Sequence, residues 1–362
     1  MFIGRDKELN TLKNLWKLSK AGNPQIAVIL AESGFGKTRL AQEFYNWLST
    51  IEDQLEPDGY WPDFLANQKQ NLGVNPDPAI CGLNNTDPNF LWWGIRISDP
   101  GRRNMNAGGA LWTALQSLKP HLATLEALIS GEEKRSERKI AAMKESSISL
   151  LSAVPIIGTF VGLAATGATL ANLTKEEIEA KRLEKTRETS PDIALDAAEI
   201  ELSEQIFLIL RAVMSVPPKG LEPRPFLLLI DDAQWSDRDG SITEFCQKIL
   251  SSAKEEKWPL MIMLTSWQRE WSNASSGGDK DHISKIIKSH FADFTTEIKL
   301  GRVNGMDRLV KQAFPGLTHQ QVELFVQRAD GNPLFMNELL SDFERKSRHF
   351  KDRDLTLSLI HI

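Results

Sequence analysis

The sequence predicts an α/β fold: a parallel sheet flanked by helices, with a small helical unit appended. Three observations point to it. Short, continuous apolar runs recur along the chain, the pattern of strands buried on both faces. The segments between several of them read as helices, and from Met306 onward only helical spacing remains.

Taken in order, Leu9, Leu12, Leu15, Trp16 and Leu18 fall at helical spacing, with Asp6 ahead of them as a cap, so residues 1–22 carry a first helix. Asn23-Pro24 breaks it. Ile26–Leu30 (IAVIL) is the first strand, a Gly-containing turn follows, and Thr38–Leu48 is the next helix, which together make a βα unit. Residues 52–89, rich in Pro, Asn, Asp and Gly, form a long irregular excursion. Phe90–Ile97 (FLWWGIRI) is the second strand, stopped by Asp99-Pro100-Gly101, and 108–129 is helical. Pro223-Arg-Pro leads into the third strand, Phe226–Ile230 (FLLLI); a helix around 241–256 precedes the fourth, Leu260–Leu264 (LMIML), and Glu297–Leu300 is a short fifth.

Composition narrows the class. At roughly 150 residues per domain, 362 residues hold about two domains, and 41% hydrophobic with 25% charged residues excludes a mostly disordered or collagen-like chain. Forty-three basic against 48 acidic residues give a net charge of -5, so DNA held mainly by charge is not indicated. Cys81 and Cys246 lie far apart without CxxC spacing, which favours a reducing compartment. The opening MFIGRDKELN has no apolar run behind it and is not a signal peptide, so a cytoplasmic location is expected. The six His show no metal-ligand spacing, and Trp16, Trp47, Trp92 and Trp93 read as core.

The sharpest motif is Ala31-Glu32-Ser33-Gly34-Phe35-Gly36-Lys37-Thr38, the phosphate-binding pattern GxxxxGK[ST] with Ala31 in place of the first Gly. Gly34 and Gly36 let the backbone curl so that successive N–H groups point inward at phosphates. Lys37 would reach the β- and γ-phosphates, the Thr38 hydroxyl would ligand Mg²⁺ and open a helix whose dipole favours an anion, and Arg39 beside it is counted among the nucleotide-binding residues. The third strand ends in Asp231-Asp232. Asp231 would hold Mg²⁺, usually through water, and Asp232 would orient or deprotonate an attacking water.

FIGRDKEL (2–9), AESGFGKTRL (31–40), LLLIDDAQWSD (227–237) and DGNPLFMNELL (330–340) resemble the signature segments of the STAND branch of AAA+ ATPases, over about 1–130 and 216–345. The resemblance implies an AAA+/ASCE-like P-loop NTPase domain over 1–300 and a helical lid over 301–356, with ATP or ADP and Mg²⁺ bound between them. It places Phe2, Ile3, Gly4 and Arg5 beside the adenine, and has Gly331, Asn332 and Pro333 close over the nucleotide from the lid. A polar residue after the fourth strand would sense the γ-phosphate; Thr265, Ser266 and Arg269 qualify, with Arg269 preferred because a guanidinium pairs bidentately with phosphate. Arg102 and Arg103 are the nearest candidates for an arginine finger, though a surface role is favoured for both. The implied function is a slowly hydrolysing switch that holds ADP when closed, exchanges it for ATP and then self-assembles. Two rival readings are a DNA-associated ATPase of the origin-initiator kind, which would carry a basic winged helix after the lid, and a non-hydrolysing nucleotide-bound scaffold.

An insertion spans about 130–215. Two charged stretches, 132–139 and 175–188, flank the uncharged Ser146–Thr174, which is long enough to cross a bilayer and contains a GxxxG at Gly158–Gly162. Pro155, Gly158 and many Ala, Ser and Thr favour a buried or self-associating hairpin over membrane contact. Finally, Leu357–Ile362 (LSLIHI) can be written CTG TCT CTT ATA CAC ATC, which looks like a transposon mosaic end. A sequencing-adapter artefact is expected there, with a sensor or effector region lost beyond residue 356.

Overall fold

The computed structural model describes residues 2–50, 74–77, 90–97, 109–125, 191–215, 223–238, 240–276 and 282–349. Most of the excursion over 52–89, the apolar segment 146–174 with its charged flanks, Arg102, Arg103, Cys81 and residues 350–362 lie outside them.

The apolar runs become strands because each is enclosed on both faces. β1 (Gln25–Leu30), β2 (Leu91–Arg96), β3 (Phe226–Asp231) and β4 (Leu260–Ser266) are almost wholly buried, while β5 (Thr295–Lys299) is covered only in part. All pair in parallel, in the order β2-β3-β4-β1-β5. Every neighbouring pair therefore needs a crossover, and helices supply several of them. The chain carries α1 (Asp6–Lys20), α2 (Lys37–Ser49), α3 (Ala110–Leu118), α4 (Pro191–Ser215), α5 (Gly240–Glu256), α6 (Gln268–Ser276) and α7 (Ile283–His290) around this sheet. Three C-terminal helices follow: α8 (Asp307–Ala313), α9 (His319–Ala329) and α10 (Pro333–His349). The parallel sheet with flanking and appended helices is the AAA+-like α/β topology expected from the sequence.

Two details of the first helix differ from the sequence reading. Asp6 is the first helical residue and the cap position is Arg5, whose side chain makes no capping bond. Asp6 acts instead as a negative charge in the first turn, where the helix dipole favours it. Leu18 is exposed, because Leu12, Leu15, Trp16 and Ser19 already define the face against the sheet. The fourth strand also runs two residues beyond the apolar block, through Thr265 and Ser266, both buried.

Apolar packing falls into two clusters. The larger surrounds the sheet, from Leu12 to Leu300, and includes fully buried Trp16, Trp92, Trp93, Trp258 and Trp271. The smaller joins Val303, Met306 and Val310 to Val322, Phe325, Met336, Leu339 and Phe343 of the last three helices. Phe2 packs on the first cluster and Ile3 on the second, so the N-terminal strand of chain bridges them. Thr318 caps α9 with a reciprocal Gln321 bond. Among the described residues, no helix is long and apolar enough to cross a membrane.

Gly94 in β2 shows how tightly one sheet face is filled. A Cβ there would sit 2.9 Å from Val74 Cβ and 3.0 Å from the Val74 carbonyl oxygen. Gly94→Ala is expected to lower unfolding stability by about 1–3 kcal/mol, as overpacked core positions do. An unchanged urea midpoint would show that the 74–77 segment does not press on β2 in solution.

Candidate functional site

Strand order decides which loops meet. β4 lies between β1 and β3, so the turn after β1, the carboxylates ending β3 and the polar end of β4 share one edge of the sheet. The carboxyl ends of parallel strands are where α/β proteins place ligands.

The turn after β1 begins with Ala31, buried, whose N–H donates to the Ser266 carbonyl at 3.2 Å. Ala31 is not among the residues of positive φ, which explains why a side chain is tolerated where the motif has Gly. Gly34 and Gly36 do need their freedom, with φ of 86° and 90°. Gly36 sits at the cap of α2, so the first N–H groups of that helix open onto the loop. Lys37 bends back over it and donates to the carbonyls of Ala31 at 2.8 Å and Glu32 at 3.3 Å. Thr38 is exposed at the start of α2, and Arg39 runs along the helix to Glu43, with Nε at 2.8 Å. Glu32 and Ser33 are exposed, while Phe35 leans on the main core.

Facing this loop is the carboxylate pair. Asp231 is buried; the Thr265 hydroxyl donates to its Oδ1, and the same hydroxyl accepts the Asp232 N–H at 3.1 Å. Asp232 has left the strand with a φ of 59°, a left-handed conformation that Asp and Asn tolerate best among residues with a side chain. Its Oδ1 accepts from Gln234 Nε2 at 3.0 Å. Burial, and secondly the neighbouring Asp232 charge, push the Asp231 carboxyl above its ordinary range. The Thr265 bond, Arg96 and Lys37 act against that rise. Burial conversely lowers the Lys37 ammonium, opposed by Asp232, Asp231 and Glu32. The site thus sets a partly desolvated cation against two carboxylates.

The third component comes from the C-terminal helices. Asn332 precedes α10, with Pro333 as its first residue, and its Oδ1 accepts the Phe335 N–H at 3.2 Å. Its Nδ2 donates to the Ser33 carbonyl at 3.4 Å, and Leu334 N–H donates to the Gly34 carbonyl at 3.2 Å. A Cβ on Gly34 would meet Asn332 Oδ1 at 2.6 Å. The smaller helical cluster therefore touches the loop directly. Behind it, Gly331 (φ 74°) lies so close to Arg302 that a Cβ would stand 2.5 Å from Arg302 Cβ.

Arg5 is neither exposed nor paired only locally. It is buried, and it donates to the carbonyls of Phe35, at 3.3 Å, and Gly301, as well as to Glu8. One guanidinium thereby joins the loop to the segment that leaves β5. Gly4, with φ 69°, packs against Val303 and Asn304, so Phe2–Arg5 lies along this junction.

Among the three candidates after the apolar part of β4, the residue that touches the carboxylates is Thr265. Ser266 bonds to Ala31 through its carbonyl, and Arg269 is exposed in the first turn of α6. The site also includes a residue that the sequence reading passed over. Arg96, ending β2, stands beside Asp231 in register and pairs with it (Nε to Oδ2, 3.6 Å) and with Asp232 (3.4 Å). The available signal was an arginine closing an otherwise apolar strand.

No family model matches the chain, and no curated protein matches it. Among solved structures it is similar to the ORC1 protein of Aeropyrum pernix in complex with DNA, at 11% identity and a TM-score of 0.43, over 100% of this chain and 65% of that one. It is also similar to a Walker-type ATPase of Pyrococcus abyssi, at 12% identity and a TM-score of 0.39, over 97% of this chain and 69% of that one. The chain spans just under two thirds of the length of the first of these.

Thr265 joins two strand ends through one hydroxyl. Thr265→Val is expected to cost about 1–3 kcal/mol of stability, the penalty for leaving buried polar groups unpaired, with Thr265→Ser recovering most of it. Equal denaturation midpoints for the wild type and Thr265→Val would show that the bond is not formed in solution.

Proposed function

We propose that the chain is an ATP-binding, slowly hydrolysing switch of the STAND kind. The observation that carries this reading is the convergence of the glycine-curled loop 31–38 with Asp231 and Asp232 at one end of the parallel sheet, with Lys37 close enough to feel both carboxylates. In the proposed mechanism the backbone N–H groups of the loop and of the first turn of α2 receive the phosphates. Lys37 exchanges the carbonyls of Ala31 and Glu32 for phosphate oxygens.

The donor set suits Mg²⁺ accompanied by nucleotide. Among the described residues no group of three or more His, Cys, Asp or Glu could hold a metal ion alone. Mg²⁺ commonly takes one or two protein ligands and completes its shell with phosphates and water. Asp231 and the Thr38 hydroxyl would be those ligands. When bound, the ion would neutralise charge on the transferring phosphoryl group.

Asp232 is the residue proposed to position the attacking water. Its backbone has left the strand in the left-handed region, and Gln234 Nε2 holds its Oδ1 at 3.0 Å. Thr265, by bridging Asp231 and the Asp232 backbone, is proposed to communicate the state of the γ-phosphate to β4, a role the sequence reading gave first to Arg269. Asn332 and Leu334 are proposed to carry the same information to the helical unit, because their partners are carbonyls of the phosphate-receiving loop. Closure around ADP and assembly after exchange for ATP belong to this reading.

Two substitutions divide binding from chemistry. Lys37→Ala should weaken ATP binding by at least about tenfold, measured by titration with a fluorescent analogue; wild-type affinity would contradict the loop assignment. Asp232→Asn keeps a residue that tolerates the left-handed backbone, so binding should survive. Its steady-state phosphate release should fall by at least about tenfold, the lower end expected on losing a general base, and unchanged turnover would remove Asp232 from the mechanism.

A further inference from the structure

We infer that Arg96 is a built-in counter-ion of the metal site, which must move before Mg²⁺ can reach Asp231. This rests on the nucleotide reading above and adds a regulatory residue to it. Three observations support the inference. First, the parallel register of β2 and β3 places Arg96 directly opposite Asp231, so its position is fixed by backbone pairing and not by a mobile loop. Second, its guanidinium spans both acids, with Nε 3.6 Å from Asp231 Oδ2 and the other contact 3.4 Å from Asp232 Oδ2. Third, its side chain is 39% exposed whereas that of Asp231 is 6% exposed, so the arginine borders solvent while the aspartate is enclosed.

The electrostatics follow from the geometry. Two adjacent carboxylates at the end of a buried strand repel each other and require positive charge. Arg96 supplies it from the β2 side and Lys37 from the loop side. Arg96 meets the two acids at their Oδ2 atoms, whereas Thr265 and Gln234 donate to the Oδ1 atoms. The guanidinium thus lies against oxygens that a divalent ion would also seek. A bound cation and Arg96 compete for the same negative field, and the displaced guanidinium, still anchored on β2, remains near the incoming phosphates. Arg96 acts through Asp231 and Asp232 and is a positioning residue.

Removing it should make the metal more valuable to binding. Without Mg²⁺, loss of Arg96 leaves more negative charge facing ATP; with Mg²⁺, the ion no longer has a competitor. The test is a titration of a fluorescent ATP analogue into the full chain, in EDTA and in Mg²⁺, for the wild type, Arg96→Ala, Arg96→Lys and Arg96→Ala with Asp231→Asn. The ratio of the two dissociation constants, EDTA over Mg²⁺, is expected to rise about tenfold or more in Arg96→Ala, as loss of one nearby charge allows. Arg96→Lys should restore the wild-type ratio in part, and the double variant should lose the gain. Circular dichroism of each variant checks the fold, with Arg96→Gln as the substitute if Arg96→Ala fails to fold. A ratio unchanged within about twofold overturns the inference and leaves the nucleotide reading standing. Absence of binding by the wild type under both conditions overturns the nucleotide reading and this inference with it.

Discussion

The parallel seating of β4 between β1 and β3 is the constraint on which the rest of the site depends. Hydrogen-bond register along β1 and β4 brings Leu30 level with Ser266, and the next N–H, that of Ala31, continues the ladder to the Ser266 carbonyl. Register along β3 and β4 brings Ile230 level with Leu264, one residue short of the point where Thr265 meets Asp231. A slip of one residue would turn every side chain to the opposite face. It would carry Thr265 away from the acids and the loop away from Asp231 and Asp232. Burial on both faces makes such a slip costly, since all of β3 and β4 is enclosed.

Charge then builds on that frame. Asp231, Asp232, Lys37 and Arg96 come from the ends of two strands, β2 and β3, and the start of one helix, α2, and each is perturbed or paired by the others. The arrangement is close to neutral as it stands, and a nucleotide with its metal would replace one balanced set of contacts by another. Asn332 and Leu334 add a mechanical link, because they hold loop carbonyls from the side of the helical cluster. Arg5 adds a second through Phe35 and Gly301. The loop is thereby tied to the start of α10 and to the segment that leaves β5.

Much of the frame was legible in the sequence because it obeys local rules. IAVIL, FLLLI and LMIML announce buried strands by continuous apolarity, and Gly34 and Gly36 mark a loop that only positive φ can close. What was not legible depends on partners distant in the chain. Arg96 is one arginine after an apolar run until β2 pairs with β3, and Thr265 looked less suited than Arg269 until the hydroxyl was seen between two acids. Arg5 is assigned to the nucleotide by resemblance alone, and its carbonyl partners lie 30 and 296 residues away, beyond any local pattern. α7 is not announced by the sequence because its apolar positions, Ile283, Ile286 and Ile287, are too few in so short a helix to establish a period.

The claim at the centre of this account is that the loop 31–38 receives phosphate. Amide hydrogen exchange of the full chain, with and without saturating Mg²⁺ and ADP, tests it at the residues concerned. Phosphate held by backbone N–H groups should slow exchange over Ser33–Thr38 on nucleotide addition, together with Leu334 across the junction. Exchange over Ser33–Thr38 that is the same with and without nucleotide would contradict it.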